Sequence, residues 1–447
     1  MKLAVIHKEK CKPGVCGMEC KKYCPIEKKE EGSCIIINEK AFIDEKTCIG
    51  CGICQRRCPL EAIEIINLPL IREEDLIYRY GENGFALYGL PVPKQNGILG
   101  LLGRNGIGKS TAVKILAGQE KINLEKNADE VPDFFMGSEL RSYFSNLPNK
   151  KISYKPQNLS KLAVDVKVID LLRKRGSEKE IFRLAEKLGA NQILENKMNK
   201  LSGGELQKIA IMAASLGQAD VYFFDEPLAY LDIGERLHIS DFIREVSKNK
   251  IVIVVEHDLL ILDYLTDYLN IFYGSAGAFG LVSGVKASKY GVNSYLQGFL
   301  KEENLRIRDK ELNFNFTKNA TISGQKIATW PDFEVKFESG FKLEAGSGEI
   351  RKNHVIGILG RNGTGKTTFV RALAGEIKTS LGKLDLDLSI SYKPQYLFIE
   401  SDEMIRDICF KEKITKKIMS VFNLGVLQQK KIRELSGGEL QRFSIAR

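Results

Sequence analysis

The chain has 447 residues, enough for roughly three domains with ample cores, and its 43% hydrophobic and 28% charged content is ordinary for a soluble protein. No apolar run approaches the ~18 residues needed to span a bilayer, and the start Met1–Lys8 is too short and too soon charged for a signal peptide, so a cytoplasmic protein without a membrane anchor is expected. The formal charge of +10 is spread along the chain; it permits a polyanionic partner such as RNA, and a solvated basic surface accounts for it equally well.

Nine of the ten cysteines fall within residues 11–58. In a cytosolic chain such a cluster reads as metal ligation rather than disulfides. Cys48, Cys51, Cys54 and Cys58, followed by Pro59, have the C-x2-C-x2-C-x3-C-P spacing of a bacterial ferredoxin. Three closely spaced thiolates wrap one [4Fe–4S] cube, and the fourth crosses to the other. Cys11, Cys16, Cys20 and Cys24, ahead of Pro25, supply the second set with a looser 4-3-3 spacing, Cys24 crossing back. Cys34 is a spare that could replace a first-run ligand. The rival reading is two all-thiolate zinc sites; the repeated C-x3-C-P ending favours iron–sulfur. No flavin or haem motif accompanies the cysteines, so a structural or mechanical role is at least as well supported as electron transfer. Cys409 reads as a small buried hydrophobe.

Downstream, Tyr80-Gly81-Glu82-Asn83-Gly84-Phe85 holds aromatics that either stack on an adenine ring or pack as ordinary strand residues. About 20 residues later the apolar run Ile98–Leu102 leads into Gly103-Arg104-Asn105-Gly106-Ile107-Gly108-Lys109-Ser110-Thr111 and then a helix-like run, Ala112–Ala117. Strand, glycine-rich turn and helix form the setting of a P-loop. The glycines let backbone N–H groups curl around a phosphate, and the helix directs its positive end at the same group. Lys109 supplies a charge for the β- and γ-phosphates, and Ser110 a hydroxyl for Mg²⁺. By residue usage the pattern arises by chance on the order of once in 10⁴–10⁵ positions. It occurs again at Gly360-Arg361-Asn362-Gly363-Thr364-Gly365-Lys366-Thr367-Thr368, after the apolar run Val355–Leu359.

The repetition extends further. Tyr154-Lys155-Pro156-Gln157 and Leu201-Ser202-Gly203-Gly204-Glu205-Leu206-Gln207 follow the first P-loop; Tyr392-Lys393-Pro394-Gln395 and Leu435-Ser436-Gly437-Gly438-Glu439-Leu440-Gln441 follow the second. Three motifs in the same order, twice, indicate a duplication. From P-loop to glutamine the first copy spans 54 positions and the second 35, placing a 19-residue insertion within about 120–150. It contains Gly137–Phe144, an amphipathic helical stretch for which Ser138 is the expected cap; such an addition reads as a partner surface or as a neutral loop. In Leu-Ser-Gly-Gly-Glu the serine caps a helix and the glycines bare N–H groups at its positive end, a phosphate clamp without a lysine. That clamp can close on the other copy's nucleotide, the sandwich logic of ABC cassettes. Val221–Phe224 leads to Asp225, a magnesium ligand, and Glu226, the general base for the attacking water. Tyr230-Leu231-Asp232 is the D-loop, and His257, at the exit of Ile251–Val255, is placed to sense the γ-phosphate. His7, His238 and His354 read as ordinary residues.

Two cysteine runs followed by two such cassettes, with no membrane span, resemble one family over essentially all 447 residues: ABC subfamily E, the ribosome-recycling ATPases also called RNase L inhibitors. The most specific parts are the eight cysteines, Gly103–Thr111, Gly137–Phe144, Leu201–Gln207, Glu302–Arg308 and Leu435–Arg442. The resemblance implies an α/β P-loop fold with two tandem ABC-type cassettes behind an α+β ferredoxin-like domain. The expected divisions are residues 1–70 for the iron–sulfur domain with two [4Fe–4S] clusters, 71–285 for the first cassette, 286–312 for a hinge and 313–447 for the second. It implies ATP-driven cassette closure that swings the iron–sulfur domain as a rigid lever and splits ribosomal subunits. The implied partners are the small subunit and its rRNA, a release factor or its surveillance relative, and initiation factors, with a monomer pairing its own cassettes. The insertion would contact the small subunit. Tyr80 and Phe85 look like the adenine-stacking pair, with Trp330 and Phe341 as counterparts.

One composite site takes Lys109, Ser110, Gln157, Asp225, Glu226 and His257 with Ser436, Gly437 and Gly438. The other takes Lys366, Thr367 and Gln395 with Ser202, Gly203 and Gly204. Pro227-Leu228-Ala229-Tyr230 departs from the usual Pro-Ser-[Ser/Ala]-Tyr near the D-loop. The second copy reaches Arg447 just after its signature, without a Walker B strand, D-loop or switch histidine, so it is expected to be truncated and to close weakly on bound nucleotide. Two other functions compete: ATP-dependent iron–sulfur cluster assembly or transfer, and a DNA-repair-type ABC ATPase. The latter needs a long coiled coil between glutamine and signature, for which a 44-residue gap leaves no room. A membrane transporter would need a separate spanning subunit.

Overall fold

The computed structural model describes residues 2–30, 32–67, 75–122, 131–159, 162, 164–308, 310–313, 324–338, 340–394, 402–435 and 437–447. The chain divides into two compact units, Met1–Asn315 and Phe316–Arg447.

The first unit opens on the cysteine-rich region. Strands β1 (Lys2–Ile6) and β4 (Ile63–Asn67) pair antiparallel, as do β2 (Ile35–Ile37) and β3 (Ala41–Ile43). Short helices at Pro13–Cys16, Glu19–Lys22 and Ile53–Arg57 carry the cysteines between them. Few apolar side chains are available here, and Cys11, Cys20, Cys24, Cys34 and Cys54 are themselves part of the core, with Ile6, Ile35, Ile43 and Ile63.

The rest of the unit is a nine-stranded sheet. β5 (Leu76–Arg79), β6 (Ala86–Tyr88), β12 (Phe279–Val282), β11 (Tyr268–Ser275), β7 (Gly97–Leu102), β10 (Ile251–Val255), β9 (Val221–Asp225) and β8 (Ile152–Lys155) lie in that order, with β13 (Lys286–Ala287) beside β11. β8, β9, β10, β7 and β11 are mutually parallel. β9 and β10 are buried at every position, as strands covered on both faces must be. Their side chains alternate between two cores. Tyr222, Phe224, Val252 and Val254 face one with the helices Val168–Arg173, Glu178–Lys187 and Gly203–Ser215; Val221, Phe223, Ile253 and Val255 face the other with the P-loop helix. Strands with such crossovers end at one edge of the sheet, where ligands bind in open α/β folds.

Of the insertion, the described part forms helices Val131–Phe134 and Glu139–Asn146. Phe135, Leu140, Tyr143 and Phe144 are buried against the P-loop side of the sheet. The Tyr143 hydroxyl donates to the Leu116 carbonyl at 2.7 Å, satisfying one of the free carbonyls at the end of the P-loop helix. Ser138 does sit at the N-cap position, but it does not cap: its hydroxyl donates to the Phe135 carbonyl at 2.9 Å and accepts nothing from the helix. Residues 286–312 are built onto the same unit. The helix Ser288–Gln297 and the hairpin Phe299–Leu300/Leu305–Arg306 pack through Val292 and Leu300 against Leu102, Leu262, Leu269 and Ile271. The fully buried Lys286 ammonium is neutralised by Glu302 and Glu303.

The second unit has the antiparallel pair Lys326–Trp330/Gly348–Arg351, the hairpin Phe333–Lys336/Lys342–Ala345 between them in the chain, a P-loop helix Lys366–Leu373 and a helical region ending in Gly437–Ala446. Val355–Leu359, apolar like its counterpart in the first copy, forms no strand and is exposed. In the first copy β7 is flanked by β10 and β11, which come later in the chain than the signature helix; residues 355–359 have no such neighbours among those described.

Candidate functional site

The first P-loop leaves the buried end of β7 and enters the helix Lys109–Leu116. Gly106 (φ +73°) and Gly108 (φ +99°) occupy the left-handed region open chiefly to glycine. At Gly108 space is equally restrictive: a Cβ would lie 2.9 Å from the Phe85 ring. At Gly103 a Cβ would meet the Phe272 carbonyl at 2.7 Å. The Lys109 ammonium donates to the carbonyls of Gly103 and Arg104, both at 2.8 Å, bracing the loop around its own charge. Burial pulls Lys109 down to about 8, against the opposing pull of Asp225 and Glu226.

These residues open onto a cavity of about 500 Å³, within the range of small-molecule sites. Asn105, Gly106, Gly108, Lys109, Ser110 and Thr111 line its floor, Tyr80 and Phe85 one wall, and Gln157, Asp225, Glu226 and His257 the other. Val255 and Gly277 complete it. The Gly277 N–H donates to the Gly106 carbonyl at 2.9 Å. The Tyr80 and Phe85 rings are 6.3 Å apart, and the Tyr80 hydroxyl is 3.1 Å from that of Thr111.

The two carboxylates lie at the end of β9, where the chain turns sharply. Glu226 has φ +47°, a strained value for this residue type. Its N–H donates to the Val255 carbonyl at 2.9 Å. Its carboxylate accepts from Gln157 Nε2 at 2.9 Å and lies 3.2 Å from His257 Nε2. The His257 hydrogen bond, joined by Gln157 and Lys109, holds Glu226 below its ordinary range despite burial. Asp225 is pushed up by burial and by the Glu226 charge, while the Tyr154 hydroxyl donates to it at 3.2 Å. Two neighbouring carboxylates are thus driven apart in proton affinity. Glu226 is the carboxylate held toward its ionised form by hydrogen bonds, and Asp225 is the one with the raised proton affinity.

The signature of the first copy does not line this cavity. Ser202 caps the helix Gly203–Ser215 in a reciprocal capping box with Glu205. Gly203 and Gly204 are packed against Tyr230, so a Cβ on Gly203 would sit 3.1 Å from its ring. Leu228, where serine is usual, is buried, and its N–H donates to Glu256 at 3.1 Å.

In the second unit the loop itself is rebuilt faithfully. Lys366 donates to the carbonyls of Gly360 and Arg361, both at 2.7 Å, and Gly363 (φ +78°) and Gly365 (φ +94°) repeat the first copy's turn. Phe341 stands 3.0 Å from a Cβ on Gly365, as Phe85 does for Gly108. Trp330 packs edge-on against Phe369 with ring centres 5.9 Å apart. Asn362 is exposed in the loop, Thr367 and Thr368 begin the helix after Lys366, and Gly437 and Gly438 open the last helix with free space around them. Gln395 and Ser436 lie outside the described residues.

The cysteines form two neighbouring groups. Cys24, Cys48, Cys51 and Cys54 line one apolar cavity, together with Cys34, Ile35 and Ile43. Cys20 feels the charges of Cys58, Cys16 and Cys11, although burial is the main cause of its rise to about 11. Cys24 of the first run thus lines the cavity of the second run's cysteines, and Cys58 of the second run lies near Cys20 of the first. Cys34 lies with the second run's group, beside Cys24 and Cys48, rather than among the first-run thiols. No three His, Cys, Asp or Glu side chains among the described residues converge as ligands of a single metal ion. A cube instead takes one thiolate per iron, which suits sulfurs spread around a shell.

Sequence reasoning missed the ties that hold these parts together. Buried Asn83 (φ +53°), between Tyr80 and Phe85, donates to the carbonyls of Ala4 and Ile43 at 3.0 and 2.9 Å, and its side-chain oxygen accepts from the Ile43 N–H at 2.8 Å. Its own carbonyl accepts from Ile6 at 2.8 Å. Arg79 makes a two-pronged pair with Glu45 at 2.8 and 2.5 Å. The loop bearing the aromatic wall is thus bolted to the cysteine-rich domain. Lys155 is the other omission. An asparagine before glycine in a loop was a turn signal at most, and nothing local marked the lysine.

Fold and site together define a P-loop ATPase of the ABC class carrying a ferredoxin-like domain. The ABC transporter family model matches residues 93–229 and 343–447, and the 4Fe-4S binding domain model matches 41–64. An uncharacterized ABC transporter ATP-binding protein of Methanocaldococcus jannaschii is 44% identical over all of this chain and 77% of its own. ABC transporter E family member 1 of Arabidopsis thaliana is 40% identical over 99% of this chain and 78% of its own. The solved structure of ribosome-bound archaeal Pelota and ABCE1 superposes with a TM-score of 0.92 at 41% identity, covering all of this chain and 78% of that one. The chain belongs to the ABC E family.

Proposed function

We propose that this chain is an ATP-hydrolysing ribosome-recycling factor acting in the cytoplasm. The observation that carries the reading is its likeness, over the whole of this chain, to an archaeal ABCE1 solved on the ribosome with Pelota, joined to a pocket lined by Tyr80, Phe85, Lys109, Ser110, Gln157, Asp225, Glu226 and His257. A second relative was solved with the archaeal ribosomal stalk protein aP1. Translation initiation factor RLI1 of Saccharomyces cerevisiae, 38% identical over 99% of this chain and 78% of its own, likewise points to translation. Cluster assembly or transfer, the alternative, has no such support.

Tyr80 and Phe85 take the adenine, and the loop N–H groups and Lys109 take the phosphates. Ser110 and Asp225 hold Mg²⁺, which neutralises phosphate charge. Glu226 accepts the proton of the attacking water, and Gln157 and His257 aim it and report the γ-phosphate. The signature Ser436, Gly437 and Gly438 closes this site, and Ser202, Gly203 and Gly204 that of Lys366, Thr367 and Gln395, so that ATP occupancy draws the cassettes together. Cys11, Cys16, Cys20 and Cys58 hold one [4Fe–4S] cluster; Cys24, Cys48, Cys51 and Cys54 hold the other. Residues 1–70, 71–285, 286–312 and 313–447 are the working divisions, with the first bolted to the first cassette so that cassette movement is transmitted to it.

The test is a density gradient. Whole ribosomes incubated with the full-length protein, ATP and a release factor or its surveillance relative should separate into subunits, and Glu226→Gln should stop turnover. Ribosomes that stay whole, with clusters passing to an apo-protein instead, would favour the alternative.

A further inference from the structure

Lys155 is almost wholly buried, with 1% of its surface exposed. It does not line the nucleotide cavity. From the end of β8 its ammonium donates to two main-chain carbonyls, that of Asp225 at 2.8 Å and that of Glu226 at 2.9 Å. These carbonyls flank the residue whose backbone is forced to φ +47°. We propose that Lys155 is a positioning residue for hydrolysis: its ammonium holds the strained Asp225–Glu226 turn so that the Glu226 carboxylate points into the pocket.

Three observations support this. First, a positive-φ glutamate relaxes unless its surroundings over-determine it, and here the peptide on each side is pinned, Glu226 N–H by Val255 and the two carbonyls by one ammonium. Second, a buried ammonium is a poor way to stabilise a fold, since an apolar side chain of similar length is usually as good or better. Stability alone is therefore a weak account of a lysine in this position. Burial lowers it to about 8, and Asp225, Glu256 and Glu226 oppose the fall. Third, the same motif in the second unit behaves differently. Lys393 is exposed and donates to the adjoining Pro394 carbonyl at 3.2 Å, so burial is not a property of the tetrapeptide but of its place beside the carboxylate turn.

The inference rests on Glu226 acting as the base, so the test runs Glu226→Gln alongside. Lys155→Met and Lys155→Gln are made in the full chain, and nucleotide affinity, turnover and melting temperature are measured. For Lys155→Met the expected result is turnover lower by roughly tenfold or more, an affinity for a fluorescent ATP analogue within about twofold of wild type, and melting at or above the wild-type temperature. Lys155→Gln, which keeps a donor for one carbonyl, should recover part of the rate. Unchanged turnover in both variants overturns the proposal, as does turnover that falls only in step with melting temperature, which would make Lys155 a strut. Full turnover in Glu226→Gln instead overturns the assignment of the base, and this inference with it.

Discussion

The two P-loops are nearly identical in sequence and in local geometry, yet they sit in very different surroundings. In the first copy the helix Lys109–Leu116 buries six residues; in the second, Lys366–Leu373 buries one, Ala372. Lys109 is 6% exposed, whereas Lys366 is partly exposed and its loop open to solvent. Both lysines nonetheless brace their loops through the same two carbonyls, and both third glycines lean on a phenylalanine. The phosphate cradle is therefore a local property of glycine spacing, lysine reach and one aromatic contact. The carboxylates, the glutamine and the histidine that make a cradle into a hydrolytic site come from β8, β9 and β10, which the parallel sheet must first assemble.

Mutations that separate cradle from sheet sharpen this contrast. The largest effect is expected for Lys109→Ala, which should weaken ATP binding at the first pocket about a hundredfold or more, as loss of a buried phosphate-binding charge implies. Lys366→Ala, in a loop open to water, should cost about tenfold or less; equal losses would break the comparison. Next, Leu101→Ala, at a fully buried β7 position, should destabilise the first unit by about 2–5 kcal/mol. Ile358→Ala, 40% exposed, should change stability by less than about 0.5 kcal/mol. Chemical denaturation followed by cassette-specific probes reads both. Asn83→Ala removes three buried side-chain hydrogen bonds between cassette and cysteine-rich domain. It should cost about 2–3 kcal/mol and speed iron loss to a chelator, while leaving Lys366 chemistry untouched. The smallest effect concerns pH. His257 is the main cause holding the Glu226 carboxyl low, so in His257→Ala the carboxyl's titration midpoint should rise. Base function is lost as pH falls through that midpoint, so the acid limb of the single-turnover rate should move to higher pH.

What the sequence disclosed follows the same divide. P-loops, signature, carboxylate pair and cysteine runs are local patterns whose chemistry is fixed by spacing, and Lys109, Ser110, Gln157, Asp225, Glu226 and His257 line one cavity. The hidden features depend on partners far along the chain. Asn83 acts on residues 40 and 79 positions away, and Lys155 on carbonyls about 70 positions away. Ser138 has the right residue type and place for a cap, but the carbonyl of Phe135, three residues earlier, competes successfully for its hydroxyl. The stretch 286–312 looks like a polar hinge because its charges dominate the composition. Two of those charges, Glu302 and Glu303, are spent on Lys286, and Val292 and Leu300 carry the packing. Val355–Leu359 has the composition of a buried strand, but burial requires neighbours that composition cannot supply.

The central claim is that the first cassette's pocket grips ATP and drives work on the ribosome. Co-sedimentation of the chain with isolated small subunits, with and without a non-hydrolysable ATP analogue, tests it most directly. The account expects analogue-dependent binding that Lys109→Ala abolishes and Glu226→Gln with ATP reproduces. Binding that is indifferent to nucleotide and to both substitutions would contradict it.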